Sequence, residues 1–349
     1  MAQSNALTRT LVLLILLALP FIIANESAAL TVLRKNSGAT SPTIAILDTA
    51  LDTSLPIFEN RILFEACVTE WYSCPNGRDE MEGTNSATLP SSWYLANGFS
   101  HGTQMSSLAV KTNPEIKIVF VRIIGATARG SRQISTENTV ERALDWVVRN
   151  HKRFGIQAVS MSQGHHRLGA IGTDYCPKSP ITQRKVRELL DQEVPVFFPT
   201  GNNGDKNRID WPACIPESIA IASSTPKKNT TRYSNFDPIL VDFYAPGEER
   251  VMSVGRRFVN ISGTSASTVR AATQWATLKS VYPELKFEEI YDLFEETAEP
   301  INDDYQILGR LINLENALIE QSARSIDEND SSTNIAVTIK SRATSRSSK

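Results

Sequence analysis

No Cys-x-x-Cys pair occurs anywhere in this 349-residue chain, and it holds only four cysteines, Cys67, Cys74, Cys176 and Cys214. That spacing argues against a structural zinc site, whose thiolates come in close pairs. Neither charge is in excess: 36 Lys and Arg stand against 38 Asp and Glu, a formal net charge of −2. A nucleic-acid binder shows a basic patch or stripe, so nucleic acid is not an expected partner. Internal repeats are absent. Histidine is scarce, with His101, His151, His165 and His166 the whole supply. Long apolar runs are limited to one, Leu11–Ile23, preceded by Arg9 and followed by Ser27-Ala28-Ala29. It is shorter than the ~20 residues that cross a bilayer comfortably. A positive start, an apolar stretch and small residues form an export signal. Residues 1–29 are therefore read as a signal peptide, with an uncleaved signal anchor and membrane tether as the alternative.

What is present fits export. An even cysteine count in an exported chain suggests two disulfides. Three pairings are open; in one, Cys67–Cys74 closes a short loop and Cys176–Cys214 links two loops of the core. Residues 30–42 are short and irregular, and by length residues 43–320 could be one large domain or two smaller ones. Apolar runs at 43–47, 116–121, 158–162, 194–199 and 219–222 read as buried strands. Helical spacing marks 101–110, 139–151, 181–192, the stretch from Ser262 to Leu278, and 287–294. Residues 52–100 read as a long, loop-rich stretch with many Ser, Asn, Gly and Pro. The alternation predicts an α/β fold, a mostly parallel central sheet with helices on both faces. Residues 321–349, rich in Ser, Thr and Arg, have too little apolar surface to order and read as a flexible tail.

Four segments carry groups that amide hydrolysis needs. Asp48 ends the first strand, in Ile46-Leu47-Asp48-Thr49-Ala50. Strand ends are where α/β sheets place functional groups. His101 opens a helix in Ser100-His101-Gly102-Thr103, and histidine titrates where a general base must. Asn202 follows a strand in Pro199-Thr200-Gly201-Asn202-Asn203-Gly204. Ser265 starts a helix in Gly263-Thr264-Ser265-Ala266-Ser267. Each motif alone has a bland reading as a cap, turn or loop. A serine becomes a nucleophile only beside a base, the base needs a carboxylate to orient it, and the tetrahedral oxyanion needs a donor.

Taken in the order Asp, His, Asn, Ser, these segments resemble the subtilases, the subtilisin-like serine peptidases, from Thr43 to about Leu318. Ser160-Met161-Ser162-Gln163-Gly164, Trp211-Pro212-Ala213, Tyr233-Ser234-Asn235-Phe236, Ala245-Pro246-Gly247 and Gly309-Arg310-Leu311-Ile312-Asn313 extend the resemblance. It implies a single peptidase domain over residues 43–320, a serine endopeptidase with Asp48, His101 and Ser265 as triad, Asn202 in the oxyanion hole, and polypeptides as substrates. Ser162, Gln163, Gly164, Pro199, Thr200 and Gly201 would line the pocket for the side chain preceding the cut. No cofactor is required and no catalytic metal is expected. Calcium is common in the family, and Asp52, Glu59, Asp79 and Glu82 are the candidate ligands.

The chain departs from the family pattern in places. Ala50 stands for the usual Gly, tolerable where the backbone avoids positive φ. Gln104 stands for a second His, and Val269-Arg270 for Pro-His. About a dozen residues separate the leader from the first strand, which leaves two expectations open: folding unaided, or with a separate chaperone or inhibitor chain as partner. Two other functions stay open: a peptide-binding module without turnover, and a peptide ligase or cyclase.

Overall fold

A computed structural model describes residues 40–96, 98–133, 135–164, 176, 179–301 and 309–326. It divides into two compact units, one over Thr40–Asn313 and a second of which residues 314–326 are described. In chain order the first unit contains β1 (Thr43–Asp48), β2 (Ile62–Val68), β3 (Glu80–Glu82), α1 (Ser91–Ala96), α2 (His101–Thr112) and β4 (Lys117–Arg122). There follow α3 (Glu137–Phe154), β5 (Ala158–Met161), α4 (Pro180–Leu190), β6 (Val196–Pro199), β7 (Ile219–Ser224) and β8 (Phe243–Pro246). The hairpin β9 (Glu248–Ser253) and β10 (Arg257–Ser262) precedes α5 (Thr264–Val281), α6 (Phe287–Thr297), β11 (Glu299–Ile301) and β12 (Gly309–Leu311).

Ten strands form one sheet in the order β11-β12-β8-β7-β6-β5-β1-β4-β2-β3. Its inner pairings are parallel, and an antiparallel strand closes each edge, β3 on β2 and β11 on β12. Strands buried on both faces need apolar runs rather than alternation, which is why Ile44, Ala45, Ile46 and Leu47 are all fully buried. Helices α2 and α5 pack together, with α5 against β5, β6 and β7, while α3 and α4 pack as a second pair. The close approach of α5 follows from its sequence: Ala266, Ser267, Ala271, Ala272 and Ala276 are buried small residues. Its threonines bond back one turn, Thr268 to Thr264, Thr273 to Val269 and Thr277 to Thr273, so their hydroxyls cost nothing in an apolar contact.

The sheet order turns around β1. From there the chain proceeds to β4 on one side and to β5 on the other. Such a switch point opens a crevice at the strands' carboxyl ends, and Asp48 lies there.

Glu249 on β9 joins the two helices beside this crevice. Its carboxylate takes Lys111 of α2 at 2.6 Å and Arg270 of α5 at 3.1 Å. Arg270 also donates through Nε to the Pro246 carbonyl at 3.1 Å. Burial pushes the Glu249 carboxyl up, but the Lys111 ammonium, the Arg250 N–H and the Arg270 guanidinium outweigh it and hold it at about 2. An acid depressed in the folded state stabilises fully above its unfolded value, 4.5, and loses that contribution as pH falls toward 2. At a site this open, solvent screening leaves about 1–2 kcal/mol. Thermal melts of wild type and Glu249→Gln are expected to differ by that amount at pH 7 and to converge near pH 2. A gap that persists in acid would contradict the ion-pair account.

Several expectations change. Residues 52–100 contain β2, β3 and α1 besides loop. Residues 314–326 of the second unit form a helix, α7. Residues 321–326, expected in the tail, are thus helical, and Arg324 pairs with Glu320 one turn earlier at 3.1 Å. Composition alone misses such local support. The leader, residues 1–29, lies outside the described residues, as do residues 30–39 and 327–349. No helix among the described residues is long and apolar enough to cross a membrane.

Candidate functional site

Asp48 is fully buried at the end of β1. Its carboxylate accepts the Thr49 N–H at 2.6 Å and meets His101 Nδ1 at 2.8 and 2.9 Å through its two oxygens. His101 is the first residue of α2, with a side chain 28% exposed. The start of this helix is fixed by its neighbours. Thr49 Oγ1 accepts the Gly102 N–H at 2.9 Å and donates to the Phe99 carbonyl at 2.9 Å. Thr103 Oγ1 donates to the Ala50 carbonyl and accepts the Asp52 N–H. A β-carbon on Gly102 would sit 2.6 Å from the Phe120 ring and 2.7 Å from Ala50 O. The His-Gly-Thr sequence is therefore the one that lets α2 dock on β1 and aim the imidazole at Asp48. Ala50 is buried and is not among the residues at positive φ, so its methyl group causes no strain.

Ser265 is the second residue of α5, after Gly263 at φ 151°, a backbone that a side chain would strain. Its hydroxyl donates to the Ser162 carbonyl at 3.3 Å, and the Ser162 hydroxyl donates to the Ser265 carbonyl at 3.1 Å. This pair binds the helix start to the segment after β5. The serine hydroxyl thus rests on Ser162 and not on His101.

Asn202 lies beside the same helix start. Its Oδ1 accepts both the Thr264 N–H, at 2.9 Å, and the Thr264 hydroxyl, at 3.0 Å. With the carbonyl end spent on Thr264, the NH2 end remains as a donor. The loop holding Asn202 depends on Asn235, which sequence reasoning named only as a landmark. Asn235 is fully buried; its Oδ1 accepts the Asn203 and Asp205 N–H groups and its Nδ2 donates to Asp210. Gly201, at φ 105°, leaves room for this, since a β-carbon would lie 2.3 Å from Asp210 and 2.4 Å from Asn235. An asparagine fixed between two motifs was the available signal, but its contact lies 34 residues from Gly201 (the Asn235 N–H donates to the Gly201 carbonyl at 3.0 Å).

The six expected pocket residues divide. Gly164 and Gly201 both border Asp210, and Ser162 lies against Ser265. Thr200 is buried and gives its hydroxyl to the Asn235 carbonyl, and Pro199 is buried at the end of β6. Gln163 turns inward, only 9% exposed. Its Nε2 donates to Asp48 Oδ1 at 3.3 Å and lies 3.5 Å from His101 Nδ1, while its Oε1 accepts from Arg132 at 2.5 Å. The Asp48 carboxylate thus has a neutral amide as well as an imidazole beside it.

Both disulfides form, Cys67–Cys74 and Cys176–Cys214. The carboxylates considered for calcium do not converge. Asp52 accepts from Ser54, Asp79 from the Tyr72 N–H and Glu82 from the Trp146 ring nitrogen. Among the described residues no group of His, Cys, Asp and Glu could hold a metal ion. Of the remaining histidines, His151 is buried in α3 with Nδ1 on the Val148 carbonyl, and His165 and His166 lie outside the described residues.

The chain is 23% identical over 237 residues to subtilisin DY of Bacillus licheniformis, covering 64% of this chain and 79% of that protein. It is 23% identical to the major intracellular serine protease of Bacillus subtilis, covering 70% of each. Of the minor extracellular protease Epr of Bacillus subtilis the chain spans 29%. Among solved structures, the protease domain of PatA superposes with a TM-score of 0.63 at 18% identity, covering 82% of this chain and 96% of that one. The prenylagaramide maturation protease PagA superposes at 0.60 and 17%, covering 82% and 95%. These two likenesses establish the fold, an α/β sheet of subtilisin type. The subtilase family model matches residues 39–332, most of the length, and the chain belongs to the subtilase family.

Proposed function

We propose that this chain is a serine endopeptidase that cuts polypeptides through an acyl-enzyme on Ser265. The observation that carries the reading is His101 held by the buried Asp48, set beside a helix start that bears Ser265 and grips Asn202. In the proposed cycle the Ser265 hydroxyl leaves the Ser162 carbonyl and donates to His101 Nε2. Its oxygen attacks the scissile carbonyl while the imidazole takes the proton. Asp48 holds Nδ1–H, fixing the tautomer and stabilising the imidazolium. The oxyanion is met by the Asn202 amide and the Ser265 N–H, donors already in place when the charge develops. The imidazolium then protonates the leaving amine, the C–N bond breaks, and water repeats the sequence to release the acid.

An extended substrate would lie along Ser162–Gly164, joined through its main chain. The leader and the two disulfides support action outside the reducing cytoplasm, as a secreted, periplasmic or membrane-tethered protein. The test is labelling. A fluorophosphonate probe is expected to modify wild-type protein at Ser265 and leave Ser265→Ala unmodified. Absence of labelling in folded wild type would overturn the proposal.

A second reading draws on the Ser265 hydroxyl resting on Ser162. It makes the crevice a peptide-binding site without turnover. Binding that survives in Ser265→Ala, with no cleavage by wild type, would favour it. Mass spectrometry of the products also separates hydrolysis from ligation or cyclisation, which leave joined ends.

A further inference from the structure

Between Glu115 and Glu137 the chain carries Lys117, Arg122, Arg129 and Arg132 and no acid. Lys117 is at the far end of β4, where it meets the Asn60 carbonyl. The three arginines stand at and beyond the end of β4 nearest the crevice, where Arg122 is the register partner of Asp48. None of the three has a carboxylate partner among the described residues. Elsewhere Arg149, Arg187, Arg270 and Arg310 each meet one.

Arg122 is fully buried, donating to the Thr88 and Ser73 carbonyls. Burial pushes its pKa down to about 10, the mark of a cation without a counter-charge. Arg129 and Arg132 are exposed. Arg132 sits on a rigid support. Residues 125–133 fold back on themselves, with an Ala126–Arg132 bridge and the Gly130 N–H on the Thr127 carbonyl. At the base the Gln133 N–H donates to the Gly125 carbonyl at 2.9 Å, and the Gln133 side chain accepts from Ser73.

Among the described residues the Arg132 guanidinium has one partner, the Gln163 amide oxygen, and Gln163 in turn touches Asp48. This chain of contacts puts a guanidinium at the edge of the segment 162–164 and uses one of its five N–H groups. The amide between them matters. A guanidinium directly on Asp48 would compete with His101 for the carboxylate, and Gln163 holds it off. The remaining donors can take a carboxylate in the paired, planar geometry that guanidinium favours.

We propose that Arg132 is a specificity-determining residue, pairing with an Asp or Glu side chain of the polypeptide among the residues just before the cut. The inference rests on the peptidase reading for the direction of the substrate. Lysine or arginine at the same place meets Arg132, Arg129 and the uncompensated field of Arg122, and is disfavoured. The substrate class is thus an acidic stretch of polypeptide.

The experiment uses quenched peptides alike except for Glu, Gln or Lys, walked through each position before the cut. Wild type is expected to favour Glu over Gln about tenfold in kcat/KM at one position, the size of one charge-assisted contact. Arg132→Gln is expected to erase that ratio and Arg132→Glu to turn it toward Lys. An unchanged ratio in both variants overturns the inference. So does an equal fall for all three peptides, which would make Arg132 a prop for Gln163 only. A second arm measures fluorescence polarisation of the same peptides, labelled, on full-length Ser265→Ala protein, at low and high salt. Tighter binding of the Glu peptide at low salt supports the inference without turnover, and equal binding of Glu and Gln peptides overturns it. Failure of Ser265 to react with the fluorophosphonate, by contrast, overturns the peptidase reading and leaves the binding comparison decisive for Arg132.

Discussion

Asp48→Asn is expected to lower kcat by about 10⁴-fold with little change in fold. The carboxylate accepts from Thr49 N–H and Gln163 Nε2 and holds His101 Nδ1. An amide cannot accept from all three. If its oxygen faces Thr49 and Gln163, its NH2 faces the imidazole, Nδ1 becomes the acceptor, and the proton moves to Nε2. The ring then has no lone pair for the serine. Steady-state kinetics with circular dichroism checks this, and a variant within tenfold of wild type would remove Asp48 from the mechanism. Because the asparagine has the shape of the aspartate, packing around β1 is not a rival cause.

The second large effect is at Asn202. Asn202→Ala is expected to reduce kcat by about 10²- to 10³-fold while KM moves little, since the lost contact exists mainly in the transition state. Alanine also leaves the Thr264 N–H and hydroxyl without their shared acceptor, so a second variant is informative. Asn202→Asp keeps an oxygen for Thr264 and replaces the donor by a negative oxygen. A fall at least as deep as that of the alanine variant assigns the loss to the oxyanion. Recovery in Asn202→Asp would assign it to Thr264 and the start of α5.

Much of this site could be read before the fold was known, because its parts lie at strand and helix ends that apolar patterning marks. Asp48 closes a run of buried residues, and His101 and Ser265 open helices, so the periodicity places all three at element boundaries. Less legible was β2, Ile62–Val68, hidden in an expected loop. It carries Glu65, a buried carboxylate that breaks the apolar run and is raised by burial against the N–H groups of Asn85 and Ala87. The hairpin β9–β10 was also missed: Glu248, Glu249, Arg250, Arg256 and Arg257 give it the composition of a solvated loop, and its cross-strand pairing and the ion pairs of Glu249 with α2 and α5 order it. Gln163 was expected to face the substrate. Its side chain turns toward Asp48 because Arg132, 31 residues earlier, holds the other end of the amide. No local pattern encodes a contact of that kind.

Thr264 precedes Ser265 in the chain and clasps Asn202 by two bonds to a single oxygen. The Ser265 hydroxyl and the Asn202 amide are therefore borne by what is mechanically one piece. When α5 rocks with temperature, both travel together, and the distance between them varies less than either varies against the sheet. Thermal breathing would then disturb how a substrate is seated sooner than how its carbonyl, once seated, is met.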